Sequence, residues 1–95
     1  MSKRIDANHN EIVDGLRRVG AEVQSLASVG HGCVDALVAF RGSWYVGEIK
    51  DGAKSPSRRK LTPDEVKWHE RFNSHAPVHI WTSLEDALKT IGAIN

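Results

Sequence analysis

Apolar residues recur along this chain with two different periods. Ile12, Val13, Leu16 and Val19 are spaced by three and four positions, which marks one face of a helix. Asp6 is placed to cap that helix and Gly20 to stop it, so a helix is expected from about Asp6 to Val19. Ala21–Ala27 is a strand candidate that ends in the loose Ser28-Val29-Gly30-His31-Gly32. Two longer apolar runs follow, Cys33–Phe40 and Ser43–Lys50, separated by Arg41-Gly42. Asp51–Lys60 mixes glycine, proline and serine with charge and reads as a mobile loop. Thr62-Pro63-Asp64-Glu65 is a strong helix start, with a capping-box Thr and Glu and proline at the first helical position. That helix carries Trp68 and Phe72 one turn apart and ends near Ser74. Pro77–Thr82 is a last strand, and Ser83 caps a final helix with Leu84, Ala87, Leu88 and Ile91 facing inward.

The order is thus helix, three strands, helix, strand, helix, an α/β arrangement. The first three strands suit an antiparallel meander. The twenty-six residues between Lys50 and Pro77 suffice for a helical crossover to a parallel strand. The expected architecture is a small mixed sheet with helices on its faces, the two long strands being covered on both sides.

Length and composition narrow the setting. Ninety-five residues, 40% of them hydrophobic, predict a single domain over 1–95 with a modest core that self-association would enlarge. Residues 51–60 hold Lys54, Arg58, Arg59 and Lys60 against Asp51, a net +3 in a chain of net +1, so the basic charge is concentrated in one segment. Cys33 is the sole cysteine, which excludes an internal disulfide and fits a reducing compartment. No apolar leader follows Met1 and no run approaches the length of a membrane span, so a soluble, cytoplasmic protein is expected, with no membrane partner. His9, His69, His75 and His79 share no zinc-ligand spacing. Asn8-His9-Asn10 resembles a His-Asn-His nuclease string but falls on a helix, the wrong context. Trp44, Trp68 and Trp81 suit core or dimer contacts better than base stacking.

The chemistry lies in the two long strands. If Arg41-Gly42 is a two-residue hairpin loop, Phe40 pairs with Ser43 and Val38 with Tyr45, and the same register sets Asp35 opposite Glu48. Directly opposed Cβ atoms are about 4.5–5.5 Å apart. At an effective dielectric of about 20, two unit charges about 5 Å apart repel by about 3 kcal/mol. A divalent cation would offset that repulsion. Glu48 and Lys50 are two apart and share a strand face, so an ammonium stands beside the carboxylates. The competing reading is a solvated surface ion pair at a strand end, worth under about 1 kcal/mol. A three-residue loop would instead set Asp35 opposite Ile49.

Four blocks resemble a known group. Asp6-Ala7-Asn8-His9-Asn10-Glu11-Ile12, Val29-Gly30-His31-Gly32-Cys33-Val34-Asp35, Gly47-Glu48-Ile49-Lys50-Asp51-Gly52 and Leu61-Thr62-Pro63-Asp64-Glu65 follow the order of the PD-(D/E)XK nuclease superfamily. More narrowly they are similar to its small stand-alone phage and bacterial members of the virus-type replication-repair (VRR-Nuc) kind. Two positions depart: Val34 stands where the superfamily's name has proline, and Glu65 where relatives often carry glutamine. The resemblance implies a restriction-endonuclease-like αβββαβ core with an extra C-terminal helix. It implies a homodimeric, metal-dependent endonuclease that hydrolyses phosphodiester bonds in structured or branched DNA, at junctions or flaps, and that is cytoplasmic, with a phage gene expressed in a bacterial host as one source.

The resemblance also implies roles. Asp35 and Glu48 would ligate Mg²⁺ or Mn²⁺, with the Ile49 backbone carbonyl as a third oxygen, the hard ligands such ions prefer. The ion would polarise the scissile phosphate. Lys50 would position the attacking water and offset transition-state charge. Glu11 matches the first-helix glutamate that holds a water at the site; read from its position alone it is equally a solvated carboxylate at a helix start. Lys54, Arg58, Arg59 and Lys60 would contact phosphates, or form a solvated loop. His31 would add a phosphate or outer contact, or merely sit in a flexible connection. The alternatives to a nuclease are a nucleic-acid-binding module on the same scaffold without chemistry, and a small protein whose sheet edge or tryptophans serve a partner.

Overall fold

In the computed structural model, which describes residues 7–95, the first helix is α1 (His9–Arg18) with Asn8 at its N-cap. The expected Asp6 cap lies outside the described residues. Ile12, Val13 and Leu16 are buried, as their spacing predicts. Val19, expected in the same stripe, is exposed. The reason is local: the Gly20 amide donates to the Arg17 carbonyl and the Ala21 amide to the Leu16 carbonyl, a turn that closes the helix and buries Ala21 in place of Val19. The Asn8 amide group donates to the carbonyls of both Lys50 and Thr82, each at 3.1 Å, and so ties the start of α1 to the ends of two strands.

Those strands belong to one sheet of order β1 (Glu22–Ser25), β2 (Ala36–Phe40), β3 (Ser43–Ile49), β4 (His79–Trp81). β1–β2 and β2–β3 are antiparallel and β3–β4 is parallel. Arg41 and Gly42 have φ of 47° and 86°, the left-handed pair of a two-residue hairpin turn whose twist matches its strands. Phe40 therefore pairs with Ser43 and Val38 with Tyr45, the expected register. Each strand is shorter than its apolar run. Residues 33–35 in particular leave the ladder, because the chain bends at Asp35 before β2 begins.

The second helix is α2 (Pro63–Asn73) and the last is α3 (Leu84–Thr90). Ser83 caps α3, its hydroxyl accepting from the Asp86 amide at 3.1 Å. The described residues thus form a small α/β domain with a four-stranded mixed sheet and three helices. None of the described helices is long and apolar enough to cross a membrane.

One face of the sheet carries the core. Ile12 and Leu16 of α1 and Ala87 and Ile91 of α3 pack against Val23, Val38, Phe40, Ile49 and Trp81. Trp81 is fully buried, and its indole N–H donates to the Thr90 hydroxyl at 3.0 Å, which satisfies the one polar group on a large apolar ring. Gly47 lies beneath that ring, where a Cβ would collide with the six-membered portion of the indole.

The other face departs from expectation. Both faces of the central strands were to be covered, yet Trp44 is 72% and Ile80 48% exposed on it. Helix α2 buries only Glu65 and His69, and these reach just the Glu48–Lys50 end of the sheet. Trp81 is a core residue as anticipated; Trp44 is a surface one.

Two outcomes follow. Gly47→Ala overpacks the Trp81 contact and should cost about 1–3 kcal/mol, lowering Tm by about 4–8 °C per kcal/mol in a domain of this size, which calorimetry reads directly. His79 lies with its ring parallel to that of Trp81 (5° between planes, centroids 6.2 Å apart), and burial lowers its pKa below 6.5. The unfolded chain then takes up the proton first, so stability falls as pH drops below about 6.5 and levels off only under the folded-state value. Urea unfolding of His79→Phe across that range should show a shallower loss of stability with acid than the parent.

Candidate active site

Three residues of β3 and its end carry the candidate site. Glu48 and Lys50 point to one face and Ile49 to the other, into the core. Glu48 is 0% exposed although charged residues are rarely buried without a partner. It sits on a strand paired on both sides, between β2 and β4, and His69 of α2 lies against its carboxylate.

Asp35 reaches this strand by an irregular path. The paired ladder ends at Ala36 opposite Gly47. Asp35 then bends, its amide donating to the Gly47 carbonyl at 3.1 Å and its carbonyl accepting from the Leu26 amide at 2.8 Å. Two consecutive residues of one strand thus crowd against one residue of the other, as in a β-bulge, a device that re-aims a side chain. The Asp35 carboxylate accepts the Ile49 amide at 2.6 Å, the bond that the next β2 carbonyl would make in a regular ladder. Asp35, 3% exposed, therefore lies alongside Ile49, between Glu48 and Lys50. It does not stand squarely opposite Glu48, as an unbroken register implied. In an extended strand the amide and carbonyl of one residue point the same way, so the Ile49 carbonyl is also directed toward the Asp35 side.

Helix α2 completes the cluster. Its capping box forms as the sequence predicts: the Thr62 hydroxyl accepts from the Glu65 amide at 3.3 Å, and the Glu65 carboxylate accepts from the Thr62 amide at 2.9 Å. The same Glu65 oxygen takes the Lys50 ammonium at 2.9 Å. Lys50 is 12% exposed at its side chain, so this pair is largely sheltered from solvent. One turn on, His69 Nε2 lies 3.4 Å from Glu48 Oε1. Positions 65 and 69 share a helix face, and here that face is polar and buried. Gly32 lets α2 approach: with φ of 79° it lies so close to the Asp64 carbonyl that no Cβ fits.

The other expected site residues fall in two further places. Glu11 is exposed and lines a hollow with Asn8, Asp51, Gly52, Arg59 and Thr82, beyond the end of β3. The basic segment is a loop, as expected, with a short 3-10 turn at Pro56–Arg58 and local turn hydrogen bonds. Arg58 and Lys60 are exposed, Lys54 is half-buried, and Arg59 donates to the Gly52 carbonyl at 3.2 Å. This segment leaves β3 at Lys50 and returns at Thr62, so in sequence its cations lie between two parts of the cluster. His31 joins neither group; it lines a hollow with Asp64, Lys67, Trp68 and Arg71 on the outer side of α2.

Two members of the cluster carry no site role in the sequence reading. Glu65 enters there as a capping residue and a departure from the superfamily pattern, and His69 only as a failed zinc ligand. Their signal was available: once Thr62 caps the helix, 65 and 69 fall on one face at i,i+4 spacing.

When ionised, the carboxylates of Asp35, Glu48 and Glu65 outnumber the charge of Lys50 and a protonated His69 in a nearly dry site. Carboxylate oxygens are the donors that hard divalent cations such as Mg²⁺ or Mn²⁺ take. Among the described residues, no group of three or more His, Cys, Asp or Glu side chains is gathered for a metal. Comparison with known protein families, curated proteins and solved structures finds no match for the chain.

The Lys50–Glu65 pair is open to a double-mutant cycle. Glu65→Leu strands a sheltered ammonium and should cost about 3–5 kcal/mol, whereas adding Lys50→Met should recover most of that loss. Urea unfolding of the two single variants and the double variant measures the coupling.

Proposed function

We propose that this protein is a metal-dependent DNA endonuclease of the PD-(D/E)XK type, similar to the VRR-Nuc members, built on a restriction-endonuclease-like αβββαβ core. The observation that carries the reading is the Asp35 carboxylate beside Ile49, with buried Glu48 on one side of it and Lys50 on the other. Drying a carboxylate is costly even where the protein supplies hydrogen bonds to it, and a bound cation would offset that cost and give the group a use. Asp35, Glu48 and the Ile49 carbonyl would hold Mg²⁺ or Mn²⁺, which when bound supplies Lewis acidity toward a phosphate oxygen. Lys50 would hold the scissile phosphate and the attacking water and oppose the charge that builds up on phosphorus. Glu65 would fix the direction of the Lys50 ammonium, and His69 would hold the Glu48 carboxylate. Arg58, Lys60, Lys54 and Arg59 would carry the DNA backbone past the cluster, adding affinity without sequence preference. Structured or branched DNA, homodimeric assembly, and a cytoplasmic setting with a phage origin complete the proposal.

A second reading has its own observation. Lys50 is paired with Glu65 at 2.9 Å and Glu48 lies 3.4 Å from His69, an arrangement already satisfied by its own side chains. A nucleic-acid-binding module without chemistry would look the same.

One set of assays separates the two. Junction, flap and duplex DNA incubated with Mn²⁺ or Mg²⁺ should be cut by the parent and left intact by Asp35→Ala, Glu48→Ala and Lys50→Ala. Calorimetric Mn²⁺ binding should vanish in Glu48→Ala. Neutralising Arg58 and Lys60 should weaken DNA binding alike on all sequences and reduce the salt slope by about one for each phosphate left without its cation. Binding without cleavage, and without a metal requirement, would favour the second reading.

A further inference from the structure

Helix α2 is amphipathic in an inverted sense. It buries Glu65 and His69 against the site and leaves Val66 and Phe72 exposed. Trp68 and Phe72 stack on that outer side, ring centroids 4.0 Å apart with 25° between planes. The Arg71 guanidinium lies over the Phe72 ring at 4.8 Å. Beside the indole is a hollow of about 190 Å³ lined by His31, Asp64, Lys67, Trp68 and Arg71. Lys67 and Arg71 are one helical turn apart, so two cations border the same edge of the hollow. His31 is fixed there by its backbone. It has φ of 55° in a tight turn closed by the Cys33 amide on the Gly30 carbonyl at 3.1 Å, an unusual conformation for a residue with a side chain.

We infer that the Trp68–Phe72 stack with Lys67, Arg71 and His31 is a binding platform for an unpaired nucleotide of a DNA strand. A preformed aromatic stack on the surface offers a further ring face, and the adjoining cations suit the phosphates on either side of a base. Paired duplex has its ring faces already stacked, so an indole face discriminates in favour of single-stranded segments. The platform is on the same helix whose Glu65 holds Lys50, one turn away, so a nucleotide bound there lies close to the cluster. The inference rests on the proposed nuclease reading for its biological use, and it specifies the substrate class as DNA with an unpaired segment adjoining the cut. The competing occupant is a second copy of this chain seated on the same aromatic pair.

Binding in EDTA tests the platform apart from any cleavage. Fluorescence anisotropy with a labelled oligothymidylate should show the parent binding it more tightly than a duplex of equal length. Trp68→Leu should weaken that binding by about 5- to 150-fold, the worth of one stacked base. Arg71→Ala, an exposed change that leaves the indole in place, should weaken it in the same direction, and Trp44→Leu on the sheet face should leave it unchanged. Unaltered affinity in both Trp68→Leu and Arg71→Ala would overturn the inference. So would tighter binding to duplex, or loss of a dimer in Trp68→Leu by sedimentation with oligothymidylate affinity intact. If no metal supports cleavage by the parent yet oligothymidylate binding still depends on Trp68, the nuclease reading fails and the platform stands.

Discussion

A backbone amide at the middle of the sheet is held by a side chain, and the candidate site is organised around that exchange. Ile49 belongs to a strand paired on both sides, so its amide must find an acceptor or cost about 1–3 kcal/mol. Because the chain bends at Asp35, the acceptor is the Asp35 carboxylate at 2.6 Å. A charged oxygen is thereby brought into the interior of the sheet, flanked by Glu48 and Lys50. A continuous β2 would have supplied a neutral carbonyl there and turned Asp35 elsewhere. The bend thus converts an ordinary strand end into a concentration of charge.

That concentration dictates what covers it. An apolar helix laid over Glu48 and Lys50 would leave both without partners, and α2 instead presents Glu65 and His69. Glu65 serves twice, closing the capping box with Thr62 and receiving the Lys50 ammonium. The helix start and the site are therefore one hydrogen-bonded unit. The consequence is an outer surface on which Val66 and Phe72 remain exposed and a sheet face left open at Trp44 and Ile80.

Much of this was legible in the residues. The helix stripe of Ile12, Val13 and Leu16, the capping box at Thr62, the Ser83 cap and the hairpin register at Arg41-Gly42 all follow from local rules that tertiary packing did not override. Strand ends were overestimated, since hydrophobicity continues through Cys33 and Val34, which are buried without being part of the ladder. The bend at Asp35 has no local signature in glycine or proline, so an unbroken register put that carboxylate opposite Glu48. Glu11 was named by likeness to a motif; it is exposed on α1 and lines a hollow with Asn8 and Asp51. The role of α2 was hidden for a different reason: its buried face is polar, and apolar periodicity marks the wrong side of such a helix.

The Asn8 bridge ties together positions far apart in the order of synthesis. Its amide group joins the carbonyl of Lys50 to that of Thr82. Trp81, the largest fully buried side chain, comes equally late in the chain. The helix that shelters the charged strand, through Glu65 and His69, also follows it in the chain. Until α2 docks, Glu48 and Lys50 remain hydrated on an unfinished sheet, and the penalty for drying them falls due only at that step.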